Sequence, residues 1–447
     1  MMNTPICDYT QQYAQSNPLR LHMPGHKGMI RLGCEHLDIT EIDGADSLFE
    51  ANGIIAQSEN NASQLFGCPT FYSTEGSSLC IRAMLYLTVL YAKEQGQHPL
   101  IAAARNVHSS FIKAASMLDF DIHWLYSKED HSYLSCIIAP QALDNWLQSA
   151  TSKPTAVYLT SPDYLGNIQD IQAISRICHK HHVLLLVDNA HGAYLRFLDH
   201  SMHPMDLGAD LCCDSAHKTL SVLTGGAYLH ISKQAPSIFM RQAKQALSMF
   251  ASTSPSYLIL QSLDLANQRL DQEYPAQLAA LVKNITKAKA SLSSNGYRFI
   301  GNEPIKLTVD CKPYGYTGTE LARILQKQNI YPEFYDRDHL VLMLTPDIDF
   351  DGLAKLEAVL SQIPQREPLS DAAPRLHPGN QVMTPRQAAF SLCQTIPIHE
   401  SLGRVLAAPT VGCPPAVPIV VSGEQITQAA IDCFSYYGIT TCCVTIP

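Results

Sequence analysis

The feature that most restricts the fold is a series of short apolar runs separated by helical stretches. Val183–Val187 is apolar at every position, which is typical of a strand covered on both faces of a sheet. Helical stretches such as Ser109–Leu118 and Ile168–His179 separate several of the runs. This order predicts a doubly wound, mainly parallel α/β sheet with right-handed crossovers. The other predicted strands are Leu100–Ala103, Ile122–Tyr126, Thr155–Thr160, Asp210–Cys213 and Ala227–Ile231.

The length of 447 residues favours two or three domains over one simple core. From about Pro255 the pattern turns helical, and strand candidates at Ile305–Val309 and His339–Leu344 then flank a helix near Gly318–Gln328. A polar, proline-bearing segment precedes a last piece of chain. We therefore predict a large α/β domain over 1–255, a smaller α+β domain over 256–370 and a C-terminal domain over 371–447.

Composition excludes several classes of protein. The net charge of −9 is scattered, without the basic patch that marks a nucleic-acid-binding surface. No apolar run approaches the roughly 20 residues of a membrane helix, and the N-terminus lacks a signal-peptide pattern. The 14 cysteines include adjacent pairs that cannot form a Cys-x-x-Cys chelate, and His179, His181 and His182 beside Cys178 lack a closing pair. We expect reduced thiols, no metal site and a cytoplasmic protein.

An aspartate and a lysine follow two of the predicted strands. Asp188 comes directly after Val183–Val187, so its carboxylate enters a low-dielectric place and needs a partner. Lys218 follows Asp210–Cys213, and ligands of such sheets lie off the carboxyl ends of strands. A buried arginine or helix N-terminus beside Asp188, and solvent exposure of Lys218, are the structural alternatives.

Together the two residues match the requirements of pyridoxal 5′-phosphate. A lysine forms a Schiff base with the cofactor aldehyde, and a carboxylate keeps the pyridine nitrogen protonated so that the ring accepts electrons. His217 is a plausible acid–base partner of Lys218, and Ser215 offers a hydroxyl to a phosphate. Ala190 is small enough for a flat ring to lie against the strand end.

Two further segments have a functional and a structural interpretation. Gly76, Ser77 and Ser78 precede a helical pattern, so they either bind an anion or simply cap the helix, and Glu75 is unfavourable beside a phosphate unless it points away. His108 follows Leu100–Ala103, where it either stacks on an aromatic cofactor or serves as a surface or capping residue.

At this point the residues resemble a known family, the fold-type I, pyridoxal-phosphate-dependent ornithine/lysine/arginine decarboxylases, in a short form without the N-terminal receiver-like domain. The resemblance covers nearly all of the chain. Its motifs are His22-x-Pro24-Gly25-His26-Lys27, Gly76-Ser77-Ser78, Asn106-x-His108, Asp188-x-Ala190-His191, Ser215-x-His217-Lys218, Ser252-Thr253-Ser254-Pro255, Thr384-Pro385-Arg386-x-Ala388 and Gly423-Glu424.

The resemblance implies an aspartate aminotransferase-like large domain and a set of site residues. Lys218 would hold the cofactor, Asp188 would pair with the pyridine nitrogen and His108 would stack on the ring. The implied cofactor contacts also include Gly76, Ser77, Ser78, Ala190, His191 and Ser215 from the same subunit, and Thr253 or Ser254 from a neighbouring one. A homodimer with its active site at the interface would be the minimum assembly.

Two positions depart from the family pattern. Glu75 replaces the asparagine usual before the glycine, and the segment Cys413–Pro418 lacks the glycine of the usual Pro-Pro-Gly-Ile-Pro. The first lies near the implied phosphate site. By the resemblance, the second lies where substrate or the partner subunit is sensed, so it bears on the choice of substrate and not on the type of reaction.

The sequence predicts decarboxylation of a basic amino acid, with loss of CO2 and formation of the amine. Arginine, lysine and ornithine stay open, with arginine or lysine favoured by the short form. Asp43, Asp46 and Glu333 are candidates to bind the cationic tail, although each is more readily explained as a solvated surface carboxylate. The alternatives are an aminotransferase or lyase, weakened because Arg323 and Arg337 are the few candidates to clamp a carboxylate, and a non-enzymatic cofactor-binding protein.

Overall fold

The structure is a computed structural model that describes residues 2–127, 132–348, 350–375, 379–409 and 415–446. Gly412 lies outside these ranges, as do Cys413 and Pro414 of the Cys413–Pro418 segment that differs from the family pattern. Within them the strands are, in chain order, β1 (Thr70–Ser73), β2 (Leu100–Ala104), β3 (Asp121–Leu125), β4 (Ala156–Thr160), β5 (Leu184–Asp188), β6 (Leu211–Asp214), β7 (Ala227–Ile231), β8 (Arg298–Ile300), β9 (Lys306–Asp310), β10 (Phe334–Tyr335), β11 (His339–Met343), β12 (Asn380–Gln381), β13 (Cys393–Pro397), β14 (Leu406–Ala408), β15 (Glu424–Gln425) and β16 (Thr441–Thr445).

The helices fill most of the connections between the strands. None of those in the described ranges is long and apolar enough to cross a membrane. In chain order they are α1 (Pro5–Gln15), α2 (Ile54–Phe66), α3 (Gly76–Glu94), α4 (Ser109–Leu118), α5 (Pro140–Ser149), α6 (Ile171–Lys180), α7 (Ala216–Thr219), α8 (Ser237–Ser248), α9 (Tyr257–Gln272), α10 (Tyr274–Ser294), α11 (Gly318–Gln326), α12 (Phe350–Ser361), α13 (Pro385–Ala389) and α14 (Gln428–Tyr436).

The chain divides into two compact units that do not follow the order of the sequence. The first unit contains Met1–Pro99, Thr155–Val157 and Ile171–Leu278. The second unit contains Leu100–Pro154, Tyr158–Asp170 and Ala279–Pro447. Strand β4 is divided between them. The three sequence-based domains, with boundaries after residues 255 and 370, stay a prediction.

The first unit holds the sheet order β1-β7-β6-β5-β4. Strands β5 and β6 are parallel, with Asp188 opposite Cys213. Strand β7 is antiparallel to β6, and β1 is antiparallel to β7. The predicted α/β fold is therefore confirmed, and the antiparallel pair β1–β7 makes the sheet mixed at one side. The predicted run Val183–Val187 is shifted by one position, so Asp188 is the last residue of β5 and not the first residue after it.

The second unit combines parallel and antiparallel sheets. Its part of the large sheet has the order β4-β2-β3, with β2 parallel to β3. A four-stranded antiparallel sheet follows in the order β10-β11-β9-β8, and a three-stranded sheet in the order β13-β16-β14. The predicted strands around Ile305 and His339 are β9 and β11, and the helix between them is α11, so the α+β pattern is confirmed in this unit.

A buried carboxylate on α9 fixes the start of α1 in the first unit. Asp264 Oδ2 accepts the backbone N–H groups of Ile6 and Cys7 at 2.9 and 3.1 Å. Its Oδ1 accepts the Ser58 hydroxyl at 2.5 Å. Burial, which outweighs these donors, raises the pKa of Asp264 to about 6. Asp264 thus joins α1, α2 and α9, but its ionised form is destabilised by burial.

We predict that Asp264→Asn removes a pH dependence of stability. Because the pKa in the folded state is raised, the folded protein binds more protons, and stability is lost as the pH rises from the ordinary value of 3.8 to about 6. An amide stays neutral and can still accept from the two N–H groups. As the pH rises through this range, the free energy of unfolding of the variant should increase relative to that of the wild type by at most about 3 kcal/mol. Melting temperatures of both proteins at matched pH values measure the gain, and a constant difference would contradict it.

Candidate active site

Asp188 lies at the carboxyl end of β5, where its side chain is buried. Its Oδ1 accepts the backbone N–H of Ala190 at 3.2 Å and the thiol of Cys213 at 3.7 Å. The four apolar residues of β5 and Asp188 at its end are all buried, so the strand places the carboxylate in the interior. An ionised carboxylate in such surroundings requires a donor or a positive charge nearby.

Lys218 lies in the short helix α7, which follows β6 directly. Its Nζ is 3.0 Å from Nε2 of His191, three residues after Asp188. The parallel strands β5 and β6 end at the same edge, and the segments that follow them bring these side chains together. The lysine is partly exposed while the histidine is buried. A lysine held by an imidazole can pass a proton to it.

A pair of hydroxyl groups lies at the start of α3. Ser215 Oγ donates to Ser77 Oγ at 2.8 Å. Helix α3 begins at Gly76, so Glu75 occupies the capping position and makes no side-chain cap bond. Capping by Ser77 or Ser78 is therefore wrong as an explanation. Gly76 has a φ of +71°, and a side chain built on it would meet nothing within 4 Å, which leaves open space beside the hydroxyls.

Glu75, the departure from the family pattern, points toward another segment of the site. Its Oε1 accepts the backbone N–H of Ser252 at 2.6 Å. Thr253 and Ser254 follow in an exposed loop, where the Ser254 N–H donates to Ser252 Oγ at 3.2 Å. The Glu75 carboxylate is thus hydrogen-bonded to the first residue of the Ser252-Thr253-Ser254 segment.

His217 and His108 are each held through one ring nitrogen. Nδ1 of His217 donates to the carbonyl of Gly226 at 3.1 Å, so this nitrogen carries the proton. His108 belongs to the second unit, where it caps α4 and Nδ1 accepts the Ser110 N–H at 3.1 Å. The capping interpretation of His108 is therefore correct, and its stacking on a cofactor stays a prediction.

The three carboxylates predicted for the substrate tail differ in their surroundings. Asp46 accepts backbone N–H groups at the start of α2, among them Gly53 at 2.8 Å and Ile55 at 2.9 Å. Burial raises its pKa, but these donors outweigh it and lower the pKa overall. Asp46 therefore has a structural task. Asp43 is exposed, and Glu333 accepts the Tyr164 hydroxyl at 2.6 Å in the second unit.

The sequence analysis missed a buried network next to Asp188 and Ser215. Asp214 is fully buried, and its Oδ2 accepts Nε2–H of His203 at 3.0 Å and of His230 at 3.1 Å. Its Oδ1 accepts the amide of Asn189 at 2.7 Å. Asp214 follows three apolar residues of β6, the same signal that singled out Asp188. His203 and His230 lie in other segments of the chain, and no local pattern marks them as partners of Asp214.

The charge state of this network follows from its contacts. Burial raises the pKa of Asp214, but His203 and His230 outweigh burial and hold the pKa well below its ordinary value. The three side chains are close enough to hold a metal ion. However, Nδ1 of His203 accepts the Met205 N–H at 3.3 Å, so Nε2 carries the proton that faces Asp214. A protonated nitrogen cannot bind a metal, and hydrogen bonding is the better description.

The Cys413–Pro418 segment differs from the family pattern at a position whose backbone has a positive φ. Ala416 stands at the position of the usual glycine, and its φ is +53°, in the left-handed region. An alanine there is strained by about 1 kcal/mol. The residue is buried, and its carbonyl accepts the Ser109 N–H at 2.8 Å, directly after His108. The chain thus keeps the glycine-like turn without the glycine.

The residues of the first unit fit pyridoxal 5′-phosphate. Asp188 supplies a buried carboxylate, which a protonated pyridine nitrogen would neutralise. Lys218 supplies an amine from the segment that follows the neighbouring strand β6. Space is open at the Cβ position of Gly76, and the Ser77 hydroxyl that follows it bonds to Ser215, so the start of α3 is a suitable place for a phosphate.

The fold is similar to that of solved decarboxylases. The lysine decarboxylase of Francisella novicida superposes with a TM-score of 0.81 at 15% identity, over 100% of this chain and 81% of that one. Two arginine decarboxylases are similar in sequence. That of Bacillus subtilis is 28% identical, over 96% of this chain and 92% of its own length. That of Halalkalibacterium halodurans is 28% identical, over 95% and 91%.

Family models account for most of the chain. The model of the Orn/Lys/Arg decarboxylase major domain matches residues 4–307, and that of the Orn/Lys/Arg decarboxylase C-terminal domain matches residues 371–441. The resemblance drawn from the motifs is therefore confirmed. The chain belongs to the Orn/Lys/Arg decarboxylase family of pyridoxal-phosphate-dependent amino-acid decarboxylases.

Proposed function

We propose that this enzyme decarboxylates arginine, forming CO2 and the corresponding amine. The observation that carries the proposal is the contact of Lys218 with His191 beside the buried Asp188. An amine and a carboxylate at one strand edge are what this cofactor requires. When bound, the cofactor accepts the electrons that the departing carboxylate leaves behind.

In this proposal each residue of the first unit has one task. Lys218 binds the cofactor aldehyde and Asp188 binds the pyridine nitrogen. Ser77, Ser78 and Ser215 hold the phosphate. His191 accepts or returns the proton of the Lys218 amine, because its Nε2 lies 3.0 Å from Nζ. His217 is oriented by the bond that its Nδ1 donates to the Gly226 carbonyl, and its Nε2 is the atom that would transfer a proton.

Further contributions come from the second unit and from a second copy of the chain. His108 stacks on the cofactor ring. Thr253 and Ser254 reach the phosphate of a neighbouring subunit, which their exposure allows. A homodimer in the cytoplasm is part of the proposal.

Arginine is favoured over lysine and ornithine by the sequence relatives. The two full-length relatives above are named arginine decarboxylases. A guanidinium tail needs a carboxylate that can accept two parallel N–H bonds. Glu333 and Asp43 remain candidates for this contact, whereas the oxygens of Asp46 already accept backbone N–H groups.

Transamination and β-elimination are the second candidate reactions. An aminotransferase clamps the substrate carboxylate with an arginine. Nε of Arg337 already donates to Asp371 at 2.8 Å, which makes it a poor clamp. A non-enzymatic cofactor-binding protein is the least favoured alternative, because it has no need of the Lys218–His191 contact.

We predict release of CO2 from arginine by the purified, cofactor-loaded enzyme, measured in parallel with lysine and ornithine. Lys218→Ala should lower the rate on the order of a thousandfold or more, because the amine that bonds the cofactor is lost. The variant His191→Ala, which keeps Lys218, should retain the cofactor absorbance. Release from lysine alone would overturn the substrate, and no release from any of the three would overturn the reaction.

The Asp214 network positions the two cofactor residues. Asn189 follows Asp188 and Ser215 follows Asp214, so the bond between Asn189 and Asp214 ties the ends of β5 and β6 together. Asn189 also donates its backbone N–H to the Cys213 carbonyl at 3.0 Å. The distance between Asp188 and the segment that carries Lys218 therefore depends on a fully buried carboxylate.

Asp214→Asn tests this positioning. An amide has one acceptor oxygen where the carboxylate has two, so a buried donor loses its partner, and the loss of stability should be about 2–3 kcal/mol. Affinity for the cofactor should fall as well. The matched control is Asp206→Asn, which breaks the partly exposed ion pair with Arg196 and should cost less than about 1 kcal/mol. Melting temperature and cofactor titration measure both effects, and equal values for the two variants would contradict the positioning role.

A further inference from the structure

The turn that carries His108 is held on both sides by one distant segment of the second unit. This turn, residues 105–109, joins β2 to α4, and His108 is the capping residue of α4. Arg105 lies three positions before His108, and Ser109 follows it directly. Both residues contact the 416–424 segment, which lies within the match to the family's C-terminal domain. His108 thus lies between two contacts with the same segment.

The side chain of Arg105 makes three contacts with the 416–424 segment. Its Nη1 donates to the Pro418 carbonyl at 3.1 Å, and its Nη2 donates to the Ile419 carbonyl at 3.0 Å. Nη2 also forms an ion pair with Oε2 of Glu424 at 3.0 Å. A guanidinium group presents its donors in a rigid planar fork, so three acceptors at fixed places define its position closely. The segment therefore fixes the start of the turn.

The ion pair between Arg105 and Glu424 is almost completely removed from water. The side chain of Glu424 is 2% exposed, and that of Arg105 is 15% exposed. Oε2 of Glu424 also accepts the Val421 N–H at 2.8 Å, so the carboxylate is held by the backbone of its own segment. An ion pair in such a place adds little stability compared with apolar residues, because both charges lose their hydration. What such a pair can supply is one defined geometry.

The contact on the other side of His108 is made by the backbone. The first N–H groups of a helix have no acceptor within the helix, and that of Ser109 donates to the Ala416 carbonyl at 2.8 Å. The next N–H, that of Ser110, donates to Nδ1 of His108 itself at 3.1 Å. The orientation of the imidazole therefore depends on where the 416–424 segment places the start of α4.

We propose that the 416–424 segment positions His108, with Arg105 and Glu424 acting through it as positioning residues. The Gly423-Glu424 motif then has a task, because it supplies the carboxylate that orients the guanidinium group. The contact of His108 with the cofactor ring belongs to the proposed function, and the effect expected on the cofactor rests on it. The positioning itself involves residues of the second unit alone.

The alternative is that these contacts only attach the C-terminal residues to α4, as a contact of Arg386 does. Nη1 of Arg386 donates to the carbonyls of Ser116 and Met117 at 3.2 and 3.1 Å, at the end of α4 opposite to His108. The Arg386 side chain is 45% exposed, and its ion pair with Asp119 spans 3.9 Å. Arg386 thus joins the same parts of the chain without a buried ion pair, which makes it a matched control.

Hydrogen exchange of the cofactor-loaded enzyme, measured by mass spectrometry, tests the positioning directly. Arg105→Lys keeps the charge beside Glu424, but a single ammonium group cannot bond two carbonyls and a carboxylate in the same geometry. We expect the peptide with residues 105–112 to exchange at least about tenfold faster than in the wild type, because the acceptor of the Ser109 N–H is no longer fixed. Peptides from β9 and β11 should exchange as in the wild type.

Arg386→Lys is the matched control and should leave the exchange of the 105–112 peptide within about twofold of the wild type. Glu424→Gln is the second variant. Its amide oxygen can still accept, but the charge is lost, so the same peptide should exchange faster by a smaller factor. Unchanged exchange of this peptide in Arg105→Lys and Glu424→Gln would overturn the proposal. Equal acceleration in Arg386→Lys would also overturn it, because the effect would then come from loosening of α4 as a whole.

Cofactor binding separates this proposal from the proposed function. His108→Asn keeps a capping side chain but has no ring, so it should weaken cofactor binding and change the visible circular dichroism of the bound cofactor. Arg105→Lys should do the same, and the double variant should bind within about twofold of His108→Asn. Additive losses would overturn the action of Arg105 through His108. Unchanged cofactor binding in His108→Asn would instead show that the proposed contact with the ring is wrong, while hydrogen exchange still decides the positioning.

Discussion

The parallel pairing of β5 with β6 is the interaction on which the site depends. Both strands end at the same edge, with Asp188 opposite Cys213. Strand β5 therefore ends in the buried carboxylate of Asp188, and the short helix α7 that follows β6 carries Lys218. Asp214 and Asn189 bond across this pair at 2.7 Å, so the spacing is held by a side-chain contact as well as by the backbone. Any shift of register would separate the amine from the carboxylate.

The sequence predicted much of this arrangement because apolar runs and strand ends are local signals. Val183–Val187 could be assigned as a covered strand without knowing its neighbours, and the polar residue after it then had to lie at the sheet edge. The antiparallel β1–β7 pair was not predictable in the same way. Thr70–Ser73 is four residues long, and its pairing with β7 depends on residues more than 150 positions away.

The residues that were not predicted from the sequence are recognised by their contacts in the folded chain and not by a sequence motif. His203 and His230 bond to Asp214 only in the folded chain, and neither stands in a recognisable pattern. Asp46 shows the reverse error. It lies in an acidic loop that looked suited to a cation, but its oxygens accept backbone N–H groups at the start of α2.

Chemical mapping of the bound cofactor shows whether Lys218 carries it. Borohydride reduction of the cofactor-loaded enzyme makes the lysine–cofactor bond permanent, and peptide mass spectrometry then locates the added mass. We expect a single modified peptide that contains Ser215–Leu220, with the mass on Lys218. Modification of another lysine, or none, would contradict the site and the mechanism built on it.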